Sequence, residues 1–471
     1  MKASTRRLVT LTAALVAAVA MVIAMLSAPR FFTGSPEAFF TPASASLPEP
    51  QPADVTGLDA DAPMPDTAIL TAKLDAILAT QGDGTSFSAQ VLDIDTGKVL
   101  YEKNGQQQGT PASSLKIATA MAALDTLGGD ARFATSVLLD GETLVLRGGG
   151  DVLLGDGPSD EQGTVGYAGL ATLAELTAEK LRERGINTVS VWLDDSLFGQ
   201  SQVNPAWEQS LFTTNNIAPV YPVAHYAGRV SAAPRATYEH DAAAQVRTVF
   251  SRALAEQTVP SGSAGGTSSQ SPEQRITVVE GGRGAYQGGE ELAQVRSAPL
   301  RDQIRHMLLV SDNYLTEAIG RLVAINRQLP PEQAAVAVQS VAEKFGAGNL
   351  ELLDTSGLAS GNRVPPADLA TLLAAAATSG KPELRELAYS LPISGYSGTM
   401  ASRLDQDADR GLVRAKTGSL MGVATLSGVT VTAGGRAVAF SIFSFNPDGE
   451  LAPHRPTIDQ AVGTLHACGC R

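Results

Sequence analysis

Residues 111–116 read Pro-Ala-Ser-Ser-Leu-Lys, and they open an Ala- and Leu-rich stretch that runs from Ser113 to Leu127. Apolar residues at Ile117, Ala120, Met121 and Leu124 recur with helical spacing. On a helix, residues three apart share a face, so the hydroxyl of Ser113 and the amine of Lys116 can meet. No other lysine has a serine three positions before it. A helix entry also offers backbone N–H groups and positive potential, which favour an oxyanion beside that hydroxyl. Taken alone, the pattern also fits a capping serine with an incidental lysine.

Two more short motifs lie downstream. Ser311-Asp312-Asn313 follows a helical pattern from Ser297 to Val310; Ser-x-Asn recurs at Ser360 and Ser444, so it has weight only in company. Lys416-Thr417-Gly418 occurs once. It stands just before two strand patterns, Val423–Thr432 and Ala437–Phe445, joined as a hairpin at Ala433-Gly434-Gly435. Ser-x-x-Lys, then Ser-x-Asn, then Lys-Thr-Gly is the set that marks β-lactamases and penicillin-binding proteins. A Ser-His-Asp hydrolase would want a Gly-x-Ser-x-Gly elbow, and there is none.

The remaining patterns predict a mixed α and β chain. Ile69–Leu78, Ala168–Arg184, His240–Gln257 and Leu369–Ala377 have helical spacing. Phe87–Ile94, Val99–Tyr101, Phe133–Leu139, Thr143–Arg147 and Thr188–Leu193 read as strands. Ser261–Ser271 is Gly/Ser-rich and reads as a mobile surface loop.

Composition narrows the function. The chain has 471 residues, more than one hydrophobic core usually fills, so two or more domains are expected. Lys+Arg is 35 against 48 Asp+Glu, a net charge of −13, which disfavours nucleic acid as a partner. With two cysteines, five histidines and no His-Glu-x-x-His, neither a multi-cysteine zinc module nor a zincin site is available, and no metal is expected. Lys2, Arg6 and Arg7 precede an uncharged run, Leu8–Ala28, about 31 Å long as a helix. The run fits an uncleaved membrane anchor better than a cleaved signal peptide, whose clearest small-x-small site, Ala43-Ser44-Ala45, lies far downstream. Either reading exports the chain. Cys468-Gly469-Cys470 would then sit in an oxidising compartment, as a local disulfide, a bridge between chains or two free thiols.

From about Ile69 onward the sequence resembles the class C low-molecular-mass penicillin-binding proteins, the D-alanyl-D-alanine carboxypeptidase/endopeptidases. The likeness covers Pro111–Lys116, Leu146-Arg147-Gly148-Gly149-Gly150-Asp151, Leu193–Ser196 with Phe198, and Ser311–Asn313 followed by Glu317. It continues through Asp354-Thr355-Ser356-Gly357-Leu358, Leu391–Gly395, Gly398-Thr399, Arg403 and Lys416–Ser419. The gap from Ser113 to Ser311 is far longer than in class A β-lactamases and implies an inserted region. The one Glu-x-x-x-Asn, Glu183–Asn187, precedes Ser311, whereas the class A deacylation Glu follows its Ser-x-Asn. Two departures stand out. Where the family often has an arginine, Ala359-Ser360-Gly361 intervene and Arg363 comes later, and the segment around Trp207-Glu208 is longer than usual.

The resemblance implies an α+β fold: a penicillin-binding/β-lactamase-like transpeptidase domain, with an antiparallel sheet flanked by helices and a large insertion of smaller mixed domains. The expected division is an anchor or signal segment at 1–28, a Pro-rich linker at 29–65, catalytic sequence at 66–130 and 297–471, and the insert at 131–296. It also implies a serine-type D-Ala-D-Ala carboxypeptidase, with endopeptidase action open, that works on peptidoglycan stem peptides in the cell envelope and is acylated by β-lactams. No cofactor is implied.

Expected roles follow from the chemistry. A serine hydroxyl needs a base, and a lysine serves only when neutral. Burial of Lys116, with Lys416 as a second cation beside it, would achieve that. Ser113 is then the nucleophile, Lys116 the base and Ser311 a proton relay. Asn313 would orient Lys116 and the substrate amide. Backbone N–H groups of Ser113 and Ser419 would form the oxyanion hole. Lys416 and Thr417 would meet the terminal carboxylate, with Gly418 beside them in the substrate-binding strand. Glu208 is the candidate for an amino-bearing side chain of the stem peptide, against the alternative of a plain surface charge. The rival functions are a β-lactamase or D-amino-acid esterase on the same scaffold, and a silent wall-binding protein.

Overall fold

The computed structural model describes residues 61–79, 81–260, 273–452 and 454–470. The Leu8–Ala28 run, nearly all of the 29–65 linker and the Ser261–Ser271 stretch lie outside them. Among the described residues no helix is long and apolar enough to cross a membrane.

Sequence from both parts of the chain builds one five-stranded antiparallel sheet. Its order is Val413–Leu420, Val423–Val431, Ala437–Phe445, Ser86–Asp93, Val99–Lys103. Ser86 pairs with Phe445 and Asp93 with Val438, so the early and late strands run in one register. Ala437–Phe445 is buried at every position but the last, because helices cover both faces. On one face Thr67–Ile77 and Arg455–His466 bring Leu70, Leu74, Ile458 and Val462 against Val91, Leu100, Phe440 and Ile442. On the other, Lys116–Leu127 and Pro366–Ala377 belong to a larger apolar core with Ile319, Leu322 and Val338. Helix Lys116–Leu127 is buried from Lys116 through Leu124, which its Ala-rich, all-round apolar sequence allows.

The residues between these strands form a second, mixed sheet, ordered Thr277–Arg283, Thr188–Asp194, Thr143–Gly148, Ala134–Asp140, Glu290–Arg296. Its first two pairings are parallel and its last two antiparallel. Leu170–Arg184 and Ala242–Ala255 pack on it through Leu173, Leu181, Val246 and Phe250.

Several elements differ from the sequence expectation. Lys416-Thr417-Gly418 stands before the first strand of the hairpin as expected, but inside a strand of its own, Val413–Leu420. The lysine at its centre hid the alternation. The helix expected from Ser297 begins at Leu300, because Pro299 sits at its cap and Ser297 receives the Gln303 amide at 3.0 Å. Helices outside the expected set also form, among them Asn313–Asn326, Ala334–Lys344, Pro382–Ser390 and Arg455–His466. Cys468 and Cys470 are joined as a local disulfide, and the Cys470 carbonyl accepts from Asp66 N–H at 3.0 Å.

Candidate active site

Ser113 lies in a short 3₁₀ turn, Ala112–Leu115, that runs directly into helix Lys116–Leu127. The turn places Ser113 and Lys116 on one face, as i and i+3 eclipse in a 3₁₀ helix. Lys116 is fully buried, and its ammonium donates to Ser113 Oγ at 2.9 Å, Asn313 Oδ1 at 2.7 Å and the Ser356 carbonyl at 2.7 Å. Three donors thus meet three oxygens. Ser113 itself is only partly buried, so its hydroxyl is reachable.

Two helices meet at Ser311-Asp312-Asn313. Ser311 ends the first with φ 58°, and Asp312 starts the second by accepting Leu315 N–H at 2.8 Å. That corner aims Ser311 at Lys416, whose Nζ donates to Ser311 Oγ at 2.9 Å and to the Thr417 carbonyl at 2.9 Å. Asn313 faces the other way: its Oδ1 holds Lys116, and its Nδ2 donates to the Asn216 carbonyl at 2.9 Å. Thr417 Oγ1 donates to Thr399 Oγ1 at 2.9 Å. The five expected catalytic side chains therefore form two hydrogen-bonded sets, Ser113–Lys116–Asn313 and Ser311–Lys416, close enough for the two lysine charges to interact, with Thr417, Gly418 and Ser419 on the strand that carries Lys416.

Close backbone approach makes the group possible. A Cβ on Gly418 would stand 2.1 Å from Thr425 Oγ1 and 2.8 Å from the Pro111 carbonyl. Only a bare Cα lets the strand lie against the Ser113 turn. Gly357, at φ 84°, passes the Ala112 carbonyl just as closely, where a Cβ would fall 1.9 Å away.

Burial lowers the pKa of Lys116 to about 8, against the opposing pull of Asp354, Glu317 and Asp312. Lys416 is held well below its ordinary value, first by burial and then by the positive charges of Lys116 and Arg403. The two lysines are thus close enough for the charge of one to disfavour the charge of the other. The carboxylates of Asp354, Glu317 and Asp312 oppose the lowering at Lys116, and Arg403 adds to it at Lys416. Burial and the charge of Asp354 raise Glu317 to about 7. Glu317 Oε1 accepts the N–H groups of Thr355 and Ser356, which fixes the carbonyl that holds Lys116. Among the described residues, no cluster of three or more His, Cys, Asp or Glu side chains is placed to hold a metal ion.

The model of the D-Ala-D-Ala carboxypeptidase 3 (S13) family matches residues 70–282 and 276–466. The chain belongs to this family. It is 34% identical over 472 residues to carboxypeptidase DacB of Mycolicibacterium smegmatis, covering 97% of this chain and 96% of that one. It is 33% identical over 446 residues to a carboxypeptidase of Mycobacterium tuberculosis, covering 90% of each. Penicillin-binding protein 4 of Haemophilus influenzae shares the fold at a TM-score of 0.62 and 23% identity, over 85% of this chain and 98% of that one. The fold and family that the resemblance implied are both present, and the chain is a serine peptidase of the S13 type.

A rim that the motifs did not specify frames this S13 site. Trp207 is buried, and its indole N–H donates to Asp354 Oδ2 at 3.0 Å. Asp354 also accepts from the N–H groups of Gly357 (2.9 Å) and Ala359 (2.7 Å) and from Asn362 Nδ2 (2.8 Å). The loop that carries the Ser356 carbonyl is thereby fixed from both sides. Glu208 is exposed and accepts from Ser360 Oγ at 2.9 Å, so it lies on the rim and outside the lysine group. Asp354 and Thr399 were legible only as letters in a family-like string, and Thr425 only as a position in a strand pattern, since each acts through contacts distant in sequence.

Proposed function

We propose that the chain hydrolyses the D-Ala-D-Ala bond of peptidoglycan stem peptides through an acyl-enzyme on Ser113. Ser113 Oγ attacks the carbonyl and its proton passes to Lys116. The tetrahedral oxyanion collapses, the C–N bond breaks, and the leaving amine takes a proton from the Ser311–Lys416 pair. Water then cleaves the ester with the proton path reversed. The observation that supports this reading most is Lys116, buried without a paired carboxylate and bonded to Ser113 Oγ, Asn313 and the Ser356 carbonyl. Such a lysine releases its proton at a pH far below that of a solvated one.

In this reading Lys416, Thr417 and Thr399 take the terminal carboxylate of D-Ala. Ser113 and Ser419 supply the oxyanion N–H groups, and Gly418 keeps the strand close. The catalytic region is 66–130 with 297–471, residues 131–296 are the insert, and the chain acts outside the cytoplasm, tethered through Leu8–Ala28. Glu208, bonded to Ser360 at the rim, takes an amino group of the stem peptide. β-Lactams acylate Ser113 because their ring amide mimics D-Ala-D-Ala while the leaving group stays attached.

The deciding experiment is peptide mapping of a fluorescent-penicillin adduct, together with mass analysis of digested muropeptides. The label is expected on Ser113 and the products should lack one D-Ala; Ser113→Ala should abolish both. Label on Ser114, on Ser311 or nowhere overturns the mechanism. Rapid turnover of penicillin would instead favour a β-lactamase.

A further inference from the structure

Three strands of the second sheet run parallel: Thr143–Gly148, Thr188–Asp194 and Thr277–Arg283. Helix Leu170–Arg184 follows the first of them and helix Ala242–Ala255 the second. In open α/β sheets of this kind, ligands bind in the crevice outside the carboxyl ends of the strands. A cavity of about 390 Å³ opens at those ends, lined in part by Asp195, Gln200, Gln202, Tyr221, Arg283 and Gly284. That volume falls within the ~300–1,000 Å³ of small-molecule sites.

The polar wall of the crevice is fixed and closed to anions. Arg283 donates to Asp195 Oδ2 from Nε at 3.0 Å and from NH2 at 2.6 Å, and to Asp241 Oδ1 at 3.2 Å. Asp195 is buried. Asp241 caps helix Ala242–Ala255 by accepting Ala244 N–H at 3.0 Å. The chain's own carboxylate thus fills the place at a helix start where a phosphate would bind. Two carboxylates share one guanidinium, so an anion is repelled, and an ammonium would face the charge of Arg283. An uncharged ligand rich in hydroxyl groups meets neither penalty. The carboxylates accept from its hydroxyls, and the Gln200 and Gln202 amides both donate and accept.

Aromatic surface adjoins this wall. The Trp192 indole donates to the Gly284 carbonyl at 2.8 Å and meets Tyr286 edge to face, ring centres 5.6 Å apart. The Arg283 guanidinium lies over the Tyr221 ring at 5.3 Å. A pyranose ring carries C–H groups on its faces and hydroxyls around its edge, so it needs both kinds of surface side by side.

The crevice is also tied to Asn313. Asn313 Nδ2 donates to the Asn216 carbonyl at 2.9 Å, and Tyr221 N–H donates to the hydroxyl oxygen of Tyr314, the next residue, at 2.9 Å. Asn216 to Tyr221 is at most about 17 Å of chain. A pentapeptide stem keeps four residues on the acyl side of its D-Ala-D-Ala bond, about 14 Å when extended. Its amino end is joined to a sugar.

We propose that this crevice is a saccharide subsite, which takes the amino sugar that bears the stem peptide while the D-Ala carbonyl lies at Ser113. The inference rests on the proposed D-Ala-D-Ala hydrolysis and adds a second point of attachment to it. The test compares three substrates: a free pentapeptide, the same pentapeptide joined to N-acetylmuramic acid, and one extended instead by an amine-bearing dipeptide. Fluorescent penicillin serves as the control.

The wild-type chain should cleave the sugar-bearing substrate with kcat/KM about tenfold above the free pentapeptide, mostly through KM. Gln202→Ala removes an amide from the wall, and Gln200→Trp fills the crevice from an exposed position. Both should lose the preference, with penicillin labelling and cleavage of the free pentapeptide unchanged. Equal rates on the first two substrates by the wild type overturn the subsite, whatever the folding of the variants. A preference that survives in both variants does the same, since the sugar is then held elsewhere. A gain from the amine-bearing dipeptide that matches the sugar's, and is lost in both variants, makes the occupant a peptide and overturns the saccharide assignment. Failure of the wild type on all three substrates and on penicillin overturns the proposed function itself, and the subsite with it.

Discussion

The indole of Trp207 donates to the carboxylate of Asp354 across 3.0 Å, and Asp354 in turn pins the loop whose Ser356 carbonyl holds Lys116. A residue of the long segment between Ser113 and Ser311 thus positions the base through one buried bond. Hydrogen bonds to charged groups contribute about 1.5–3 kcal/mol each, and three other N–H donors and the Ser356 hydroxyl still serve Asp354.

Trp207→Phe keeps the packing and removes the donor. Its melting temperature should fall by a few degrees, while the rate of acylation by a β-lactam falls several-fold. Asp354→Ala strands all five donors, and acylation should fall at least a hundredfold. Stopped-flow labelling beside a thermal melt checks both. If Trp207→Phe acylates at the wild-type rate, the bond is packing only.

Gly357 makes a sharper case. Its φ of 84° disfavours any side chain, and a Cβ would overlap the Ala112 carbonyl at 1.9 Å. Gly357→Ala must push the Ser113 turn away from the loop, so labelling should be nearly lost. Gly380→Ala is the matched control, because nothing lies within 4 Å of a Cβ there. It should label like the wild type.

How much of this was legible beforehand differs by element. Hairpin strand Ala437–Phe445 was readable to the residue, since its run of apolar side chains is buried on both faces. The Ser113–Lys116 contact was readable because it is local. Strand Val413–Leu420 was not, because Lys416 and Gly418 occupy buried strand positions for reasons of chemistry and close approach. Nor were the charges that act on the two lysines. They come from Asp354, Glu317 and Arg403, which reach the site from separate elements, and Trp207 holds one of them.

The lysine charges predict a pH profile. If Lys116 takes the Ser113 proton, only its neutral form acts, and burial sets its pKa near 8. Acylation by penicillin should rise about tenfold per pH unit below that value and level off above it. Lys116→Arg cannot lose its proton and should be inert throughout. A limb centred near the ordinary lysine value of 10.5 would show that Lys116 is solvated in the working enzyme.

Asp151 predicts a separate dependence, on stability. It is fully buried after the Gly148–Gly150 turn and accepts from Leu153 N–H at 2.9 Å. Burial raises its pKa from 3.8 to about 7. The folded chain therefore binds this proton more tightly than the unfolded chain does. That contribution is fully present below pH 3.8 and is lost as pH rises through about 7. Across that window the unfolding free energy should fall by up to about 1.4 kcal/mol per pH unit from this group alone. Glu317, raised from 4.5 to about 7, slopes the same way. Asp151→Asn removes one contribution and leaves the other. Urea unfolding at pH 5 and pH 8 should then show a smaller drop than in the wild type, with the variant more stable at pH 8. An unchanged drop would mean that Asp151 stays ionised in the fold, and that water or a cation reaches it.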